Sequence, residues 1–139
     1  MVAIRPVQPA DLAAISALDA RLTGSKKPNY WREMLAPGRP FLLAETETGT
    51  LAGFIAGEIR AWEFGQPPAG WVFAIQIDPK LRLKGVGTAL FEALVVRFKA
   101  EGVTRVRTLV DRKDHLILSF FRAQGMVAGP SLQLDKDLS

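Results

Sequence analysis

The spacing of apolar and polar positions changes along the chain, and the changes predict a succession of strands and helices. Leu12, Ile15, Leu18 and Leu22 recur at helical spacing, whereas the stretch 103–110 alternates as a half-buried strand does. In chain order the pattern predicts a strand at 2–6, helices at 9–22 and 29–35, a hairpin of strands at 41–45 and 51–62, a strand at 71–77, a helix ending near 101, a strand at 103–110, a helix at 114–124 and a weak last strand at 132–138.

The segment 71–77 is apolar at nearly every position, which is typical of a central strand covered on both faces. Strands and helices alternate in the second half of the chain. This order predicts an α/β fold with a mixed sheet and helices on both sides. No repeat, low-complexity tract or Ser/Gly linker divides the sequence, so we expect one domain over residues 1–139.

Composition excludes several kinds of chemistry. The 139 residues include no cysteine and one histidine, so we expect no thiol nucleophile, no thiolate metal site and no multi-histidine metal site. The amino terminus lacks an apolar signal core, and no apolar run approaches the roughly 18 residues of a membrane span. We therefore expect a cytoplasmic protein that does not enter a membrane.

The formal net charge of +4 raises the question of a nucleic-acid partner. The only local basic cluster of note in the sequence is the loop after the strand 71–77, and no aromatic and basic residues interleave as they do on an RNA-binding sheet. A small anionic ligand explains the excess charge equally well, so charge alone does not indicate nucleic-acid binding.

The loop that follows this strand carries a candidate phosphate site. Gly85 and Gly87 open a helix, and glycines there let a phosphate approach the backbone N–H groups of the first turn. Lys80, Arg82 and Lys84 add positive charge to the loop. Gly-x-Gly before a helix is also ordinary turn chemistry. A Walker loop is excluded because Gly-Lys-Ser/Thr is missing, and the dinucleotide fingerprint lacks its third glycine.

The spacing Arg82-x-x-Gly85-x-Gly87, between a strand and a helix, resembles the acyl-CoA motif of the GNAT N-acetyltransferase superfamily. A second family pattern matches Asp114, Ile117, Phe120-Phe121 and Gly125-Met126. The order of elements also agrees over nearly the whole chain. The resemblance implies a single GNAT-like domain with a twisted mixed sheet of about six to seven strands, flanked by about four helices.

The resemblance further implies direct transfer of an acetyl group from acetyl-CoA to a primary amine in a ternary complex. The pantetheine arm would enter between the strand 71–77 and its parallel neighbour, and a backbone N–H of Ile75 or Ile77 would bind the acetyl oxygen. We expect no metal to take part. The implied cofactor-binding residues are Ile75, Gln76, Ile77, Arg82, Leu83, Lys84, Gly85, Val86, Gly87, Thr88, Asp114 and Phe121.

Two carboxylates are candidate general bases for the acceptor amine. Glu58 and Glu63 lie on or just after the strand beside the cofactor strand, on the side where an acceptor would enter. An amine with a pKa near 10 must lose a proton before it attacks. The alternative for Glu58 is a solvent-facing residue paired with Arg60 or Arg105, and for Asp114 it is a helix N-cap.

Phe121 stands where many relatives carry the tyrosine that protonates the leaving thiolate. Three accounts follow: the thiolate leaves with help from water, Tyr30 or Ser119 replaces the tyrosine, or the protein is a weak or inactive acyl-CoA-binding module on the same fold. The acceptor stays open between a small molecule and a protein amine. Dimers are common among such domains, so a homodimer is a candidate assembly.

Overall fold

The computed structural model describes residues 2–82 and 84–139. Contacts group the chain into two compact units, Met1–Leu109 and Val110–Ser139, and each is described by itself. In the described residues the first unit contains β1 (Val2–Pro6), α1 (Leu12–Thr23), α2 (Tyr30–Glu33), β2 (Phe41–Thr46), β3 (Leu51–Arg60), β4 (Ala69–Ile77), α3 (Val86–Ala100) and β5 (Val106–Thr108). The second unit contains α4 (His115–Ala123).

The strands form one mixed sheet in the order β1-β2-β3-β4-β5. The first three pairings are antiparallel and the β4–β5 pairing is parallel, so α3 is the crossover between the parallel strands. The predicted hairpin is confirmed as β2 and β3. β4, predicted to be central, has a neighbour on each side.

Helices α1 and α2 cover one face of the sheet through an aromatic core. The Trp31 ring of α2 lies 5.0 Å from the Phe54 ring and 5.8 Å from the Phe41 ring. Ile15 and Leu18 of α1 belong to the same buried cluster. The period that predicted the first helix therefore included both apolar residues that α1 buries, Ile15 and Leu18.

Helix α3 packs on the opposite face, where two glycines leave room for it. A Cβ atom added at Gly57 would lie 2.5 Å from the Trp71 carbonyl oxygen and 3.1 Å from the Phe98 ring, and one added at Gly70 would overlap the Phe98 ring. Leu94 and Phe98 are buried at this contact. The missing side chains let the aromatic ring of α3 lie directly on the sheet.

The structure corrects the predicted strand count. The described residues form five strands instead of six to seven, and the stretch 132–138 contains no strand. Leu132, Leu134 and Leu138 are 84–87% exposed. These apolar residues have no partner strand in the described part of the chain, so they form no strand of their own. The strand predicted at 103–110 is also shorter, since β5 keeps only Val106–Thr108.

The second unit holds α4 with the predicted ends. The Asp114 carboxylate accepts a hydrogen bond from the Ile117 backbone N–H at 3.1 Å, which caps the helix, and Gly125 just beyond it has φ +88°. Across the described residues, no helix combines the length and apolar character needed to span a bilayer.

Candidate active site

Strands β4 and β5 part within the first unit and leave a free backbone edge. They pair only from Gly70 to Val72 on β4, although β4 continues to Ile77. At the point of parting, the Thr108 hydroxyl donates a hydrogen bond to the Val72 carbonyl at 2.9 Å, which ends the ladder. In the described chain, Phe73 to Ile77 therefore have no strand partner on the β5 side.

A β-bulge at the same point sets the direction of the free groups. Ala74 pairs with Ala56 and Val72 with Gly57, so Phe73 is an extra residue on β4. Farther along, the Asp78 N–H donates to the Ala52 carbonyl of β3 at 2.8 Å. Hydrogen-bonding direction alternates along a strand.

From Asp78 back toward the bulge, even-numbered residues therefore point their backbone groups toward β3. Ile75 and Ile77 point theirs to the open side of β4. This direction suits a ligand arm that pairs with main-chain groups, as the resemblance implied. Gln76, on the even series, pairs with Phe54 of β3 instead.

The loop after β4 ends in a helix start that lacks a side-chain cap. Gly85 is the N-cap of α3 with φ +78°, and a Cβ atom there would meet nothing within 4 Å. The residues just before it in the chain include three exposed basic side chains, those of Lys80, Arg82 and Lys84. The open space, the helix N-terminus and the charge together fit an anionic group such as pyrophosphate.

The other residues predicted for this loop have different positions. Val86 is buried and anchors α3, whereas Gly87 and Thr88 lie partly exposed in its first turn. Leu83 lies outside the described residues. Lys84 and Val86 also border a surface cleft of about 280 Å³, whose other walls are Val2, Leu81 and the β2–β3 turn at 46–48.

Both candidate bases form ion pairs. The Glu58 Oε2 atom lies 3.2 Å from Arg39 Nε, and the Glu63 Oε1 atom lies 2.7 Å from Arg60 Nε. The Glu58 side chain is 24% exposed and that of Glu63 is 46% exposed. The partners named in the alternative for Glu58, Arg60 and Arg105, are wrong, because Arg39, two residues before β2, forms the ion pair instead.

A row of side chains crosses the sheet beside these pairs. Trp71 of β4 is in register with Glu58 of β3 and with Arg107 of β5, so the three share the face that α1 and α2 partly cover. The Arg60 guanidinium lies over the Trp71 ring at 4.7 Å. The sequence did not single out Arg39 or Arg107, since the neighbour of Arg39 is seen only in its ion pair with Glu58 and that of Arg107 only in the register of β4 with β5.

The remaining candidates lie on separate elements. Phe121, in the second unit, is buried, and its ring contacts Phe120 at 5.2 Å between centroids. Asp114 acts as the N-cap of α4, which is its alternative role. Tyr30 begins α2, with its ring edge-on to Trp31 at 4.8 Å.

Comparison with known proteins gives a family match over most of the chain. The model described as the acetyltransferase (GNAT) family matches residues 10–126. A mycothiol acetyltransferase of Propionibacterium freudenreichii subsp. shermanii is 32% identical over 84 residues, which are 60% of this chain and 26% of that protein. The chain spans between a quarter and a half of the length of the curated relatives it matches.

Solved structures share the fold at low identity. The aminoglycoside antibiotic 6'-N-acetyltransferase AAC(6')-Ih from Acinetobacter baumannii has a TM-score of 0.85 at 20% identity, with both chains covered completely. AAC(6')-Iy, in complex with a bisubstrate analogue that contains CoA, has a TM-score of 0.87 at 17% identity and covers 100% of this chain and 99% of its own. These likenesses concern the fold.

Proposed function

Because the chain belongs to the GNAT acetyltransferase family, we propose that it transfers an acetyl group from acetyl-CoA to a primary amine by direct attack in a ternary complex. The observation that carries the proposal is the open backbone edge of β4 at Ile75 and Ile77, followed along the chain by the start of α3 at Gly85, where no side chain caps the helix. One element supplies a place for an extended arm, and the other supplies a place for its phosphates.

The phosphate end of the ligand would lie at the first turn of α3. Backbone N–H groups at a helix start point outward, and the helix dipole favours negative charge there. The absence of a side chain at Gly85 keeps this point open, and Arg82 and Lys84 lie beside it. Val86 would hold the helix start against the core while its neighbours bind.

The acyl end would lie along β4. The N–H groups of Ile75 and Ile77, aimed away from β3, are suited to hydrogen-bond the pantetheine amides and the acetyl oxygen. Such a donor stabilises the negative charge that develops on the oxygen during attack, an effect worth roughly 10²–10³ in rate. The side chains of both residues pack while their main chain binds.

A base near the acceptor would complete the chemistry. Glu58 is the stronger candidate because it is less exposed than Glu63 and because it lies on the same face of the sheet as Trp71. Trp71 lies on β4, two residues before the bulge at Phe73. Its ion pair with Arg39 fixes the carboxylate in one orientation. The proton taken from the ammonium group would leave through this carboxylate.

The alternative is a weak or inactive acyl-CoA-binding module on the same fold. Phe121 motivates it, since a phenyl ring donates no proton to a leaving thiolate. A thiol of ordinary pKa, about 8.5, also leaves with help from water, which keeps the enzyme proposal chemically sound.

Two measurements test the proposal together. We expect a thermal shift at excess acetyl-CoA, because a ligand at 100 times its Kd stabilises the folded state by about 2.7 kcal/mol. We also expect thiol release that depends on both acetyl-CoA and an amine, in a panel of amino acids, polyamines, an aminoglycoside and a peptide amino terminus. Stabilisation without thiol release would favour the binding module. The absence of both stabilisation and thiol release would reject the enzyme and the binding module alike.

A further inference from the structure

Arg107 is partly buried and has no acidic partner in the described chain. The arginines that form ion pairs there are Arg5, Arg21, Arg39 and Arg60. Part of the Arg107 residue is removed from water, and no carboxylate of the described chain balances the charge of its guanidinium. Such a residue is suited to an anion that the protein itself does not supply.

The surroundings of Arg107 leave positive charge unbalanced. Arg39 forms an ion pair with Glu58, and Arg60 forms one with Glu63. Of the three arginines Arg39, Arg60 and Arg107, Arg107 is therefore the one without a carboxylate partner in the described chain. Arginine presents a planar pair of donors that fits a carboxylate at two points. A polycation would be repelled here, whereas an anionic group would be held.

The register places Arg107 at a useful distance from the candidate base. Glu58 and Arg107 are on the strands to either side of Trp71, so their backbones are about 10 Å apart across the sheet. Trp71 also lies four residues, about 13 Å, before Ile75 along β4. An extended arginine side chain together with a short amino acid is long enough to cover distances of about 10–13 Å.

We propose that Arg107 determines acceptor specificity by binding a carboxylate of the amine acceptor. The acceptor class is then an amino acid, or a peptide with a free carboxylate near its amine, instead of a polycationic amine. The inference rests on the proposed acetyl transfer, and it adds which amines the site accepts. The Trp71 side chain would lie under the acceptor, between the acceptor carboxylate at Arg107 and the candidate base Glu58.

Matched acceptors that differ only in the carboxylate test this role. L-Ornithine and L-lysine are compared with putrescine and cadaverine, their decarboxylated forms, by thiol release from acetyl-CoA. We expect the wild-type kcat/KM to favour each amino acid by at least about tenfold, and Arg107→Gln to remove that preference mainly by raising KM, by roughly 10–100-fold. The values for the diamines should stay within about twofold.

Two further variants separate this role from folding. Arg97→Gln removes an exposed arginine of α3 and should keep the preference. Arg107→Lys keeps the charge without the planar fork and should keep part of it. Equal preference in Arg107→Gln and wild type, at unchanged melting temperatures, would overturn the inference, as would a wild-type preference for the diamines.

A binding measurement keeps the inference testable if no amine releases thiol. L-Ornithine and putrescine are then titrated calorimetrically into the protein with CoA present. Binding of L-ornithine that is lost in Arg107→Gln and kept in Arg97→Gln supports the inference although the proposed transfer has failed. Equal affinity for the two amines, or no binding of L-ornithine, overturns it.

Discussion

At the residue scale, Glu58 combines a catalytic candidate with an existing ion pair. Its carboxylate is held by Arg39 at 3.2 Å, while Glu63 is more exposed and pairs with Arg60 three residues away. Arg39 therefore has to be tested beside Glu58, because removing either one breaks the same pair.

We expect Glu58→Gln to lower kcat by roughly 10²–10⁴, since it removes a general base without changing the shape of the side chain. The pH–rate profile should also lose the limb on which the rate rises with pH. Glu63→Gln is the matched comparison and should retain that limb. An unchanged profile in both variants would remove these carboxylates as bases, and an equal loss in Arg39→Gln would assign Glu58 a structural role.

Phe121 is the residue at which the sequence departs from the family pattern. We expect Phe121→Tyr to raise kcat, because a phenol at this position would supply the proton that water now provides, and general acids contribute about 10²–10⁴ in rate. Single-turnover kinetics with a fixed amine would measure the effect on the chemical step. Phe120→Tyr on the same helix is the control. No increase would weaken the account in which the thiolate leaves with water alone.

At the scale of elements, Phe98 of α3 packs on the sheet at Gly57 and Gly70. We expect Gly70→Ala to destabilise the fold by about 1–3 kcal/mol, because the added methyl group overlaps a buried ring in a tightly packed contact. Urea unfolding measures the loss. Gly129→Ala is the control, since a Cβ atom there meets nothing within 4 Å. Similar losses in both variants would contradict this packing.

An ion cluster ties β1 to β2 and to the start of α1. Arg5 donates to Glu45 at 3.1 Å and to Asp11 at 2.8 and 2.9 Å, and the hydrogen bonding from Arg5 to Asp11 holds the pKa of the Asp11 carboxyl below its ordinary value. The Asp11 carboxylate also accepts from the Gln8 N–H at 2.8 Å. A lowered pKa means that folding favours the ionised form.

The stability that Asp11 contributes is therefore present above its unfolded pKa, about 3.9, and is lost as the pH falls through its folded pKa. We expect Asp11→Asn to lower the free energy of unfolding at pH 7, with the difference from wild type shrinking below about pH 4. Urea unfolding from pH 2 to 7 measures this. Glu92→Gln, an exposed change on α3, is the control. A difference independent of pH would contradict the ion cluster.

At the scale of the whole molecule, local signals were enough to predict most elements. Helical spacing predicted α1, and glycines past their ends marked the limits of α3 and α4. The length of β5 was not predictable, because the bulge at Phe73 and the Thr108 hydroxyl end its pairing with β4. The prediction of a strand at 132–138 was wrong, because apolar residues form a strand only beside a partner strand.

The candidate site divides in the same way. A short local motif was sufficient to predict that a strand, a loop and a helix start follow one another around Gly85. The ion pair of Glu58 with Arg39 and the unpartnered state of Arg107 depend on contacts between strands far apart in sequence. Such contacts leave no local pattern, so the acceptor side of the site needed the structure.

Calorimetric titration of acetyl-CoA into wild type, Gly85→Ala and Gly102→Ala tests the central claim most directly. Both glycines adjoin an end of α3, with φ of +78° and +79° and open space around them, so alanine strains the backbone equally at each, by roughly 1–2 kcal/mol. We predict saturable binding of one acetyl-CoA per chain, weakened at least about tenfold by Gly85→Ala and little changed by Gly102→Ala. No binding to wild type, or equal weakening in both variants, would contradict an acyl-CoA site at the start of α3.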